Sequence, residues 1–363
     1  MSTSEIKYIR DSVEQQIRKS SNVFLIGHKG PDFDSIGACM GMYELANALG
    51  KKAYIIVDEE IPEDEETKIE PGAKKVIEEN REKYQIIKPE NVKFHLKERS
   101  ILFVLDTNKK KKVSISNSLD MFKNVIILDH HMPDDNTIET PYTYISEDVS
   151  SASEMVARIL FASRTKYTSA AASALLAGIR LDTQRFGMNT SSKTHDVAEK
   201  LIDNGANTEY VNSLFLEEFE SFKRIGNLII NGTILKKYND STLYPYQVSF
   251  TLNRTEPHTI YFKEDFAKAA NRMMEFNEMD ASFALGYVDE KNVHVSARSG
   301  KRINVGKFME EFQGGGNAHM AGTRIATDDL LGLEEQMIEK LGQFISNQEC
   351  IQEEKTIQKV KKN

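Results

Sequence analysis

The sequence is poor in the features that mark secreted and membrane-spanning chains. Its 363 residues include only two cysteines, Cys39 and Cys350, which lie far apart in sequence, so no disulfide framework is visible and a reducing cytoplasm is the expected location. No apolar run reaches the length of a transmembrane helix, and the N-terminal segment lacks the apolar core of a signal peptide. We therefore expect a cytoplasmic chain without membrane contact, a description that also fits the soluble part of a membrane-anchored protein.

Excess positive charge is also missing. The 47 Lys and Arg residues are outnumbered by 55 Asp and Glu residues, which gives a formal net charge of −8. Binding to long nucleic acid needs a basic face, so the balance disfavours that partner, whereas a small phosphorylated ligand held by a local cationic site is compatible with it. The four lysines at 109–112 are typical of a solvated turn, where a lysine would also attract an anion.

The order of apolar segments predicts two domains of different class. Short apolar strands alternate with helices from the N-terminus to about residue 207, which predicts an α/β domain with a parallel sheet and helices on both faces. A smaller α+β domain follows. The predicted boundaries are 1–207 for the first domain, 208–226 for a helical linker, 227–346 for the second domain and 347–363 for a charged tail.

Acidic and imidazole side chains follow four of the apolar elements of the first domain. Three groups come directly after strands and the fourth ends a helix. Because the carboxyl ends of parallel strands meet at one edge of a sheet, we expect these groups to converge. They lie in the segments "HKGPDFD" (28–34), "LDT" (105–107), "LDHH" (128–131) and "RLDT" (180–183), and comprise His28, Asp32, Asp34, Asp106, Asp129, His130, His131 and Asp182.

Such a convergence predicts bound cations. Five carboxylates in a small volume repel one another and raise each other's pKa values unless positive charge neutralises them, and two divalent ions would do so. Mixed Asp and His ligands without cysteine favour Mn²⁺ or a related ion over a structural zinc site. The alternative for any single aspartate is a helix N-cap, but the joint pattern is harder to explain by caps alone.

A glycine run marks the second domain. In "FQGGGNAH" the three glycines can adopt backbone angles closed to other residues, which lets amides approach a phosphate or a base, although a plain flexible turn is the alternative. Upstream, "SARSG" places Arg298 and Ser299 near the end of a predicted strand, where an arginine can bind a phosphate through two hydrogen bonds.

In these motifs the chain resembles the DHH family of phosphoesterases with its DHH-associated C-terminal domain, over roughly residues 20–345. The four motifs appear in the order of the family, and the glycine run stands where the family has its substrate-binding domain. Within the family, segments such as "GHKGPDFDSIGA" and "ALLAGIRLDTQRF" look most like the GdpP-type cyclic-di-AMP phosphodiesterases.

The resemblance implies roles for individual residues. It implies two Mn²⁺ ions, the first bound by His28, Asp32 and Asp106 and the second by Asp34, Asp106, His130 and Asp182. Asp129 would orient His130, and His131 would face the scissile phosphate. The implied substrate-binding residues are Arg298, Ser299, Gly314, Gly315, Gly316, Asn317 and His319.

The implied activity is hydrolysis of cyclic-di-AMP to linear pApA by a hydroxide held between the two ions, in a homodimer. The alternative is a nanoRNase that degrades pApA or short RNAs to mononucleotides, with phosphatase action on pAp. Two departures leave the substrate preference open, since Met132 follows the DHH triplet where arginine is common, and Asn317 replaces a histidine after the glycines. A nucleotide sensor with an inactive site is disfavoured because every metal-ligand position is filled.

Overall fold

The computed structural model describes residues 1–59, 69–238, 246–300 and 302–360, with side chains described to residue 347. The predicted charged tail therefore lies largely outside the described side chains. The chain divides into two compact units, Met1–Leu216 and Glu217–Asn363. Among the helices of the described ranges, none is both long and apolar enough to cross a bilayer.

The first unit is built on a six-stranded parallel sheet. Its strands are short and apolar on both faces, which is typical of a sheet covered on both sides. The strands are β1 (Asn22–Ile26), β2 (Ala53–Ile56), β3 (Ile86–Ile87), β4 (Ser100–Leu105), β5 (Asn124–Asp129) and β6 (Tyr142–Ile145), and the helices are α1 (Thr3–Lys19), α2 (Phe33–Ala48), α3 (Pro71–Asn80), α4 (Ala152–Ala162), α5 (Ser169–Asp182), α6 (Ser192–Asp203) and α7 (Thr208–Leu214).

Successive side chains of β1 enter two different cores. Val23 and Leu25 pack with the α-helices, whereas Phe24 and Ile26 pack on the other face. That second core is closed by short 3₁₀ helices and loops, including the 3₁₀ helix Pro89–Phe94. The parallel sheet flanked by helical elements confirms the predicted α/β class.

The strand order reverses direction between β1 and β4. The order is β3-β2-β1-β4-β5-β6. The chain therefore adds β2 and β3 on one side of β1, and then adds β4, β5 and β6 on the other side. In open parallel sheets, ligands bind outside the carboxyl ends of the strands at such a reversal. Three of the four predicted acidic segments follow β1, β4 and β5, on this edge.

Gly27 allows the chain to turn at this point. A Cβ atom on Gly27 would overlap the Oγ of Ser35 in the first turn of α2. The loop after β1 can therefore lie directly against α2 only because residue 27 has no side chain.

The second unit contains a mixed six-stranded sheet in the order β11-β12-β10-β9-β8-β7, in which only β8 and β9 pair in parallel. One face packs against the apolar side of the last two helices and the other against the first two. This confirms the predicted smaller α+β domain. Its elements are α8 (Phe219–Gly232), β7 (Thr233–Tyr238), β8 (Tyr246–Thr251), α9 (Lys263–Met273), β9 (Ala281–Tyr287), β10 (Asn292–Ser299), α10 (Val305–Glu310), β11 (Gly315–Gly316), β12 (Met320–Ala326) and α11 (Leu330–Val360).

Candidate active site

The loop after β1 contributes His28 and Asp32. Asp32 is the N-cap of α2, and its Oδ1 accepts hydrogen bonds from the backbone N–H groups of Asp34 and Ser35 at 2.9 and 3.0 Å. Its Oδ2 lies 3.6 Å from Nε2 of His28. The Nδ1 of His28 donates to the carbonyl of Lys29 at 2.8 Å, which leaves Nε2 free to bind an ion. Asp32 therefore acts as a cap and faces the cluster at the same time.

Asp34 is fully buried and points at the N-terminus of α4. Its two carboxylate oxygens accept hydrogen bonds from the backbone N–H groups of Ala152 and Ser153, at 2.7 and 2.8 Å. Backbone N–H groups at a helix N-terminus stabilise negative charge, so α4 holds this carboxylate in place. The sequence indicated only that a helix begins here, because nothing local links residues 34 and 152.

Asp106 is the central member of the cluster. It follows β4 with a φ of 59°, a left-handed conformation that is uncommon for a non-glycine residue and concentrates at functional sites. Its Oδ2 lies 3.5 Å from Nε2 of His28, and its Oδ1 lies 3.5 Å from Nε2 of His130. Asp106 thus stands between the two imidazoles.

The side chain of Asp129 organises the turn after β5. Its Oδ1 accepts hydrogen bonds from the backbone N–H groups of His130 and His131 and from Nδ1 of His131, at 2.8, 3.2 and 2.9 Å. We expected Asp129 to orient the ring of His130; instead it contacts the ring of His131 and only the backbone of His130. The reason is geometric. Because the Asp129 carboxylate binds the backbone N–H groups of both His130 and His131, it lies next to the ring of His131.

Asn108 is a residue of the site that the sequence analysis missed. Its side chain is fully buried and donates from Nδ2 to Oδ2 of Asp129 at 2.7 Å and to the carbonyl of His131 at 2.8 Å. The only sequence signal is its position two residues after Asp106, in "LDTN".

His130 faces three carboxylates. Its Nε2 lies 3.0 Å from Asp182, the last residue of α5, 3.5 Å from Asp106 and 3.9 Å from Asp34. The structure therefore brings all eight predicted acidic and imidazole residues to one place. Three overlapping groups have ligand atoms within 4.8 Å of one another: His28, Asp32 and Asp106; Asp34, Asp106, His130 and Asp182; and Asp106, Asp129, His130 and His131.

The electrostatics of the cluster favour added positive charge. Burial, reinforced by Asp106 and Asp182, holds the pKa of Asp34 well above its usual range, and burial also raises the pKa of Asp182 to about 6. Burial alone would lower the pKa of His130, but Asp106 and Asp182 outweigh it and raise the pKa to about 11. Burial opposes ionisation of Asp106 as well, yet His130 and His28 lower its pKa. Bound cations would therefore stabilise the ionised carboxylates of the cluster.

Two buried atoms without hydrogen-bond partners in the described part of the chain also indicate that the cluster binds cations. Oδ1 of Asp106 and Nε2 of His130 are inaccessible to solvent, and neither has a hydrogen-bond partner of suitable geometry among the described residues. Buried polar atoms without partners are costly unless an ion or water satisfies them. Oxygen and imidazole donors without sulfur suit Mn²⁺ or Mg²⁺, so the residues present fit divalent cations.

The predicted substrate-binding residues of the second unit form a separate group. Arg298, near the end of β10, donates from Nε to the side chain of Asn271 at 2.6 Å and from Nη1 to the carbonyl of Ala297 at 2.9 Å. No carboxylate in the described part of this unit pairs with it. Arg298 is therefore a cation with donors to spare for an anionic ligand.

The glycine run is separated from that arginine by one strand of the sheet, β12. Gly315 and Gly316 form β11 and pair with β12, whose first residue, Met320, is opposite Arg298. Gly316 has a φ of 148°, and a Cβ on Gly314 would come within 2.6 Å of the carbonyl oxygen of Gly322. Glycine is required here by close backbone approach.

Asn317, His319 and Ser299 are tied together around the same turn. Oδ1 of Asn317 accepts from the backbone N–H groups of His319 and Met320, both at 2.8 Å. Nδ1 of His319 donates to the carbonyl of Gly300 at 2.9 Å, and the N–H of Ser299 donates to the carbonyl of His319 at 3.0 Å. Asn317 therefore shapes the turn, a role that a histidine side chain would fill differently.

Comparison with known proteins assigns the cluster of the first unit and the glycine run of the second unit to known domains. The profile of the DHH family, N-terminal domain, matches residues 22–179, and that of the DHHA1 domain matches residues 245–347. The chain belongs to the DHH family. The resemblance inferred from the motifs is thereby confirmed. All cluster residues except Asp182 lie within the DHH match, and the glycine run lies within the DHHA1 match.

Relatives of this DHH protein include two cyclic-di-AMP phosphodiesterases. It is 32% identical to GdpP of Bacillus subtilis over 88% of this chain and 47% of that protein, and 29% identical to PdeA of Listeria monocytogenes over 93% of this chain and 50% of that protein. The chain thus spans about half the length of these relatives. An exopolyphosphatase-related protein from Bacteroides fragilis, 20% identical, shares the fold with a TM-score of 0.70 over 93% of this chain and 98% of its own.

Proposed function

We propose that the chain is a phosphodiesterase that uses two divalent ions to hydrolyse cyclic-di-AMP to pApA. The observation that carries the proposal is that two of the ligand groups, His28 with Asp32 and Asp34 with His130 and Asp182, are joined through Asp106. The activity of the GdpP and PdeA relatives supports the choice of substrate. A site for one ion alone would not need the second, buried set of carboxylates.

The proposed ligands of the ions follow from the geometry. His28, Asp32 and Asp106 would hold one ion, and Asp34, Asp106, His130 and Asp182 would hold the other. Bound there, divalent ions would polarise a phosphodiester and make a water molecule a stronger nucleophile. We propose Mn²⁺ because the donors combine carboxylates with imidazole and include no thiolate.

His131 is the proposed proton donor to the leaving oxygen. Asp129 accepts the Nδ1 proton of His131, so the ring is held in one orientation with Nε2 as its free atom. The side chain of His131 is 56% exposed, in contrast to 16% for that of His130, and can therefore reach a substrate. Asn108 holds Asp129 from the other side and so keeps this pair aligned.

The DHHA1 domain is proposed to bind nucleotide. Arg298 would bind a phosphate, and Ser299, Asn317, His319 and the glycine run would contact a phosphate or an adenine. We propose a homodimer as the assembly. Its size in solution, measured by light scattering, tests that part separately.

A product time course tests the function. Purified protein with Mn²⁺ is incubated with cyclic-di-AMP and, in parallel, with pApA, and products are separated by chromatography. Conversion of cyclic-di-AMP that stops largely at pApA supports the proposal. Inert cyclic-di-AMP with rapid cleavage of pApA to AMP would replace it by the nanoRNase alternative, and no reaction with either would contradict both. The Asp182→Asn protein is the control for contaminating nucleases.

A further inference from the structure

Four lysines lie beside the cluster of carboxylates and imidazoles, next to His28 in the chain or joined to that loop by a hydrogen bond. The backbone N–H of Lys29 donates to the carbonyl of Lys112 at 2.7 Å, which joins the loop after β1 to the 3₁₀ helix Lys110–Lys112. His28 precedes Lys29 in the chain and donates to its carbonyl. The lysine rim, Lys29 with Lys110, Lys111 and Lys112, is therefore anchored next to a proposed metal ligand.

The rim carries positive charge that the protein does not neutralise. Lys110, Lys111 and Lys112 are exposed, and across the described ranges no carboxylate lies within ion-pair distance of any rim ammonium. Lys109 differs, because its Nζ is engaged by Asp134 at 2.7 Å and by the carbonyl of Met132 at 3.2 Å. Lys109 thus stabilises the turn, whereas no described carboxylate pairs with a rim ammonium.

This placement runs against the charge of the rest of the molecule. The chain has a net charge of −8, which opposes the approach of a dinucleotide with two phosphates. A local group of cations beside a binding site concentrates anions and raises their association rate, most strongly at low ionic strength.

We propose that the lysine rim captures anionic nucleotides beside the proposed metal ligands. The inference rests on the proposed function for the identity of the substrate, but it concerns association and not the chemical step. It predicts that the effect grows with ligand charge, so pApA, which carries a terminal phosphate monoester, depends on the rim more than cyclic-di-AMP does.

The test compares two variants of equal charge. In the rim variant, Lys110, Lys111 and Lys112 are replaced by Gln; Lys29 is left unchanged because it adjoins a proposed ligand. The control variant carries Lys19→Gln, Lys97→Gln and Lys123→Gln. These three exposed lysines precede β1, β4 and β5, at the amino-terminal edge of the same sheet and away from the cluster.

The first readout is steady-state kinetics on both substrates at two ionic strengths. At about 20 mM salt we expect the rim variant to lose about five- to tenfold in kcat/KM for pApA and less for cyclic-di-AMP, with kcat within about twofold. Near 0.5 M salt the loss should shrink to less than about twofold, because the Debye length falls to a few ångströms. The control variant should stay within about twofold of the wild type throughout.

The second readout does not need turnover. The association rate of pApA carrying 2-aminopurine is measured by stopped-flow fluorescence on protein treated with a chelator, and it should fall for the rim variant alone. Equal salt dependence in the rim and control variants would overturn the capture surface while leaving the phosphodiesterase intact. If the wild type hydrolysed neither substrate, the proposed function would be overturned. The association rates of the rim and control variants would still show whether the rim captures nucleotides.

Discussion

The side-chain amide of Asn108 donates a 2.7 Å hydrogen bond to the buried carboxylate of Asp129. Both side chains are fully buried, and the second donor hydrogen of the same amide reaches the carbonyl of His131. Asn108 therefore fixes the turn that contains Asp129, His130 and His131 through hydrogen bonds to the first and third of these residues. Its neutral amide also avoids placing another negative charge against Asp129.

Replacing Asn108 by Ala should cost both stability and turnover. The substitution leaves Oδ2 of Asp129 buried without its donor, which should lower the free energy of unfolding by about 1–3 kcal/mol. We also expect kcat to fall by at least about tenfold with KM little changed, since orienting groups beside a metal site typically contribute that much. Asn204→Ala is the control, because Asn204 is exposed and bonds only to a helix carbonyl. A destabilised Asn108→Ala protein with undiminished kcat would limit Asn108 to a structural role.

Much of this arrangement could be predicted from the sequence. The alternation of apolar strands and helices predicted the parallel sheet, and in such a sheet the residues that follow β1, β4 and β5 must meet at one edge. Asp106 and the DHH triplet are therefore neighbours as a consequence of strand order.

The contacts behind the cluster could not be predicted in the same way. An asparagine after a strand is an ordinary turn residue, so the bond from Asn108 to Asp129 carries no sequence signature. The bonds from the N-terminus of α4 to Asp34 join residues more than 100 positions apart. The bonds to Asp34 depend on how α4 packs on the sheet, and the bond to Asp129 depends on the conformation of the loop after β4; local patterns specify neither.

The shared position of Asp106 predicts an asymmetric effect of two similar substitutions. Asp106→Asn removes a ligand from both proposed groups, whereas Asp32→Asn affects only the one that contains His28. We expect the first variant to lose both Mn²⁺ ions and the second to retain one. Turnover of Asp106→Asn should fall at least about a thousandfold, as expected for loss of several kcal/mol of transition-state stabilisation.

Bound manganese is counted by plasma mass spectrometry after desalting, with Asp120→Asn as a control for an exposed carboxylate. Circular dichroism verifies that each variant is folded. An Asp106→Asn protein that keeps two ions would contradict the shared ligand.

Gly178 in α5 brings that helix close enough to support Asp34. A Cβ at this position would lie 2.8 Å from both the Cα and Oδ1 of Asp34 and would overlap the Oγ of Ser153. Gly178→Ala should therefore destabilise the protein by about 1–3 kcal/mol and weaken Mn²⁺ binding by displacing that carboxylate. Gly226 in α8 is the matched control, since nothing lies within 4 Å of its added Cβ and alanine favours a helix by up to about 1 kcal/mol. Urea unfolding and manganese titration measure both effects. An equal increase in the free energy of unfolding in both variants would show that α5 can shift to accommodate the added Cβ without strain.

His294 in β10 should make the DHHA1 domain sensitive to acid. Burial, aided by the positive charges of Lys263, Arg298 and Arg324, lowers the pKa of His294 to about 3, and its Nε2 is shared with the hydroxyl of Ser296 at 3.1 Å. A histidine that stays neutral when folded but protonates near 6.5 when unfolded contributes its full stability above pH 6.5 and loses it as the pH falls toward 3. Between pH 7 and pH 5 this residue alone should lower the free energy of unfolding by about 2 kcal/mol.

His294→Gln should remove this dependence of the unfolding free energy on pH, whereas His258→Gln, at an exposed position, should leave it unchanged. Urea unfolding at a series of pH values, followed in the chelated protein, gives the two slopes, and identical slopes for the wild type and His294→Gln would show that other groups set the acid sensitivity.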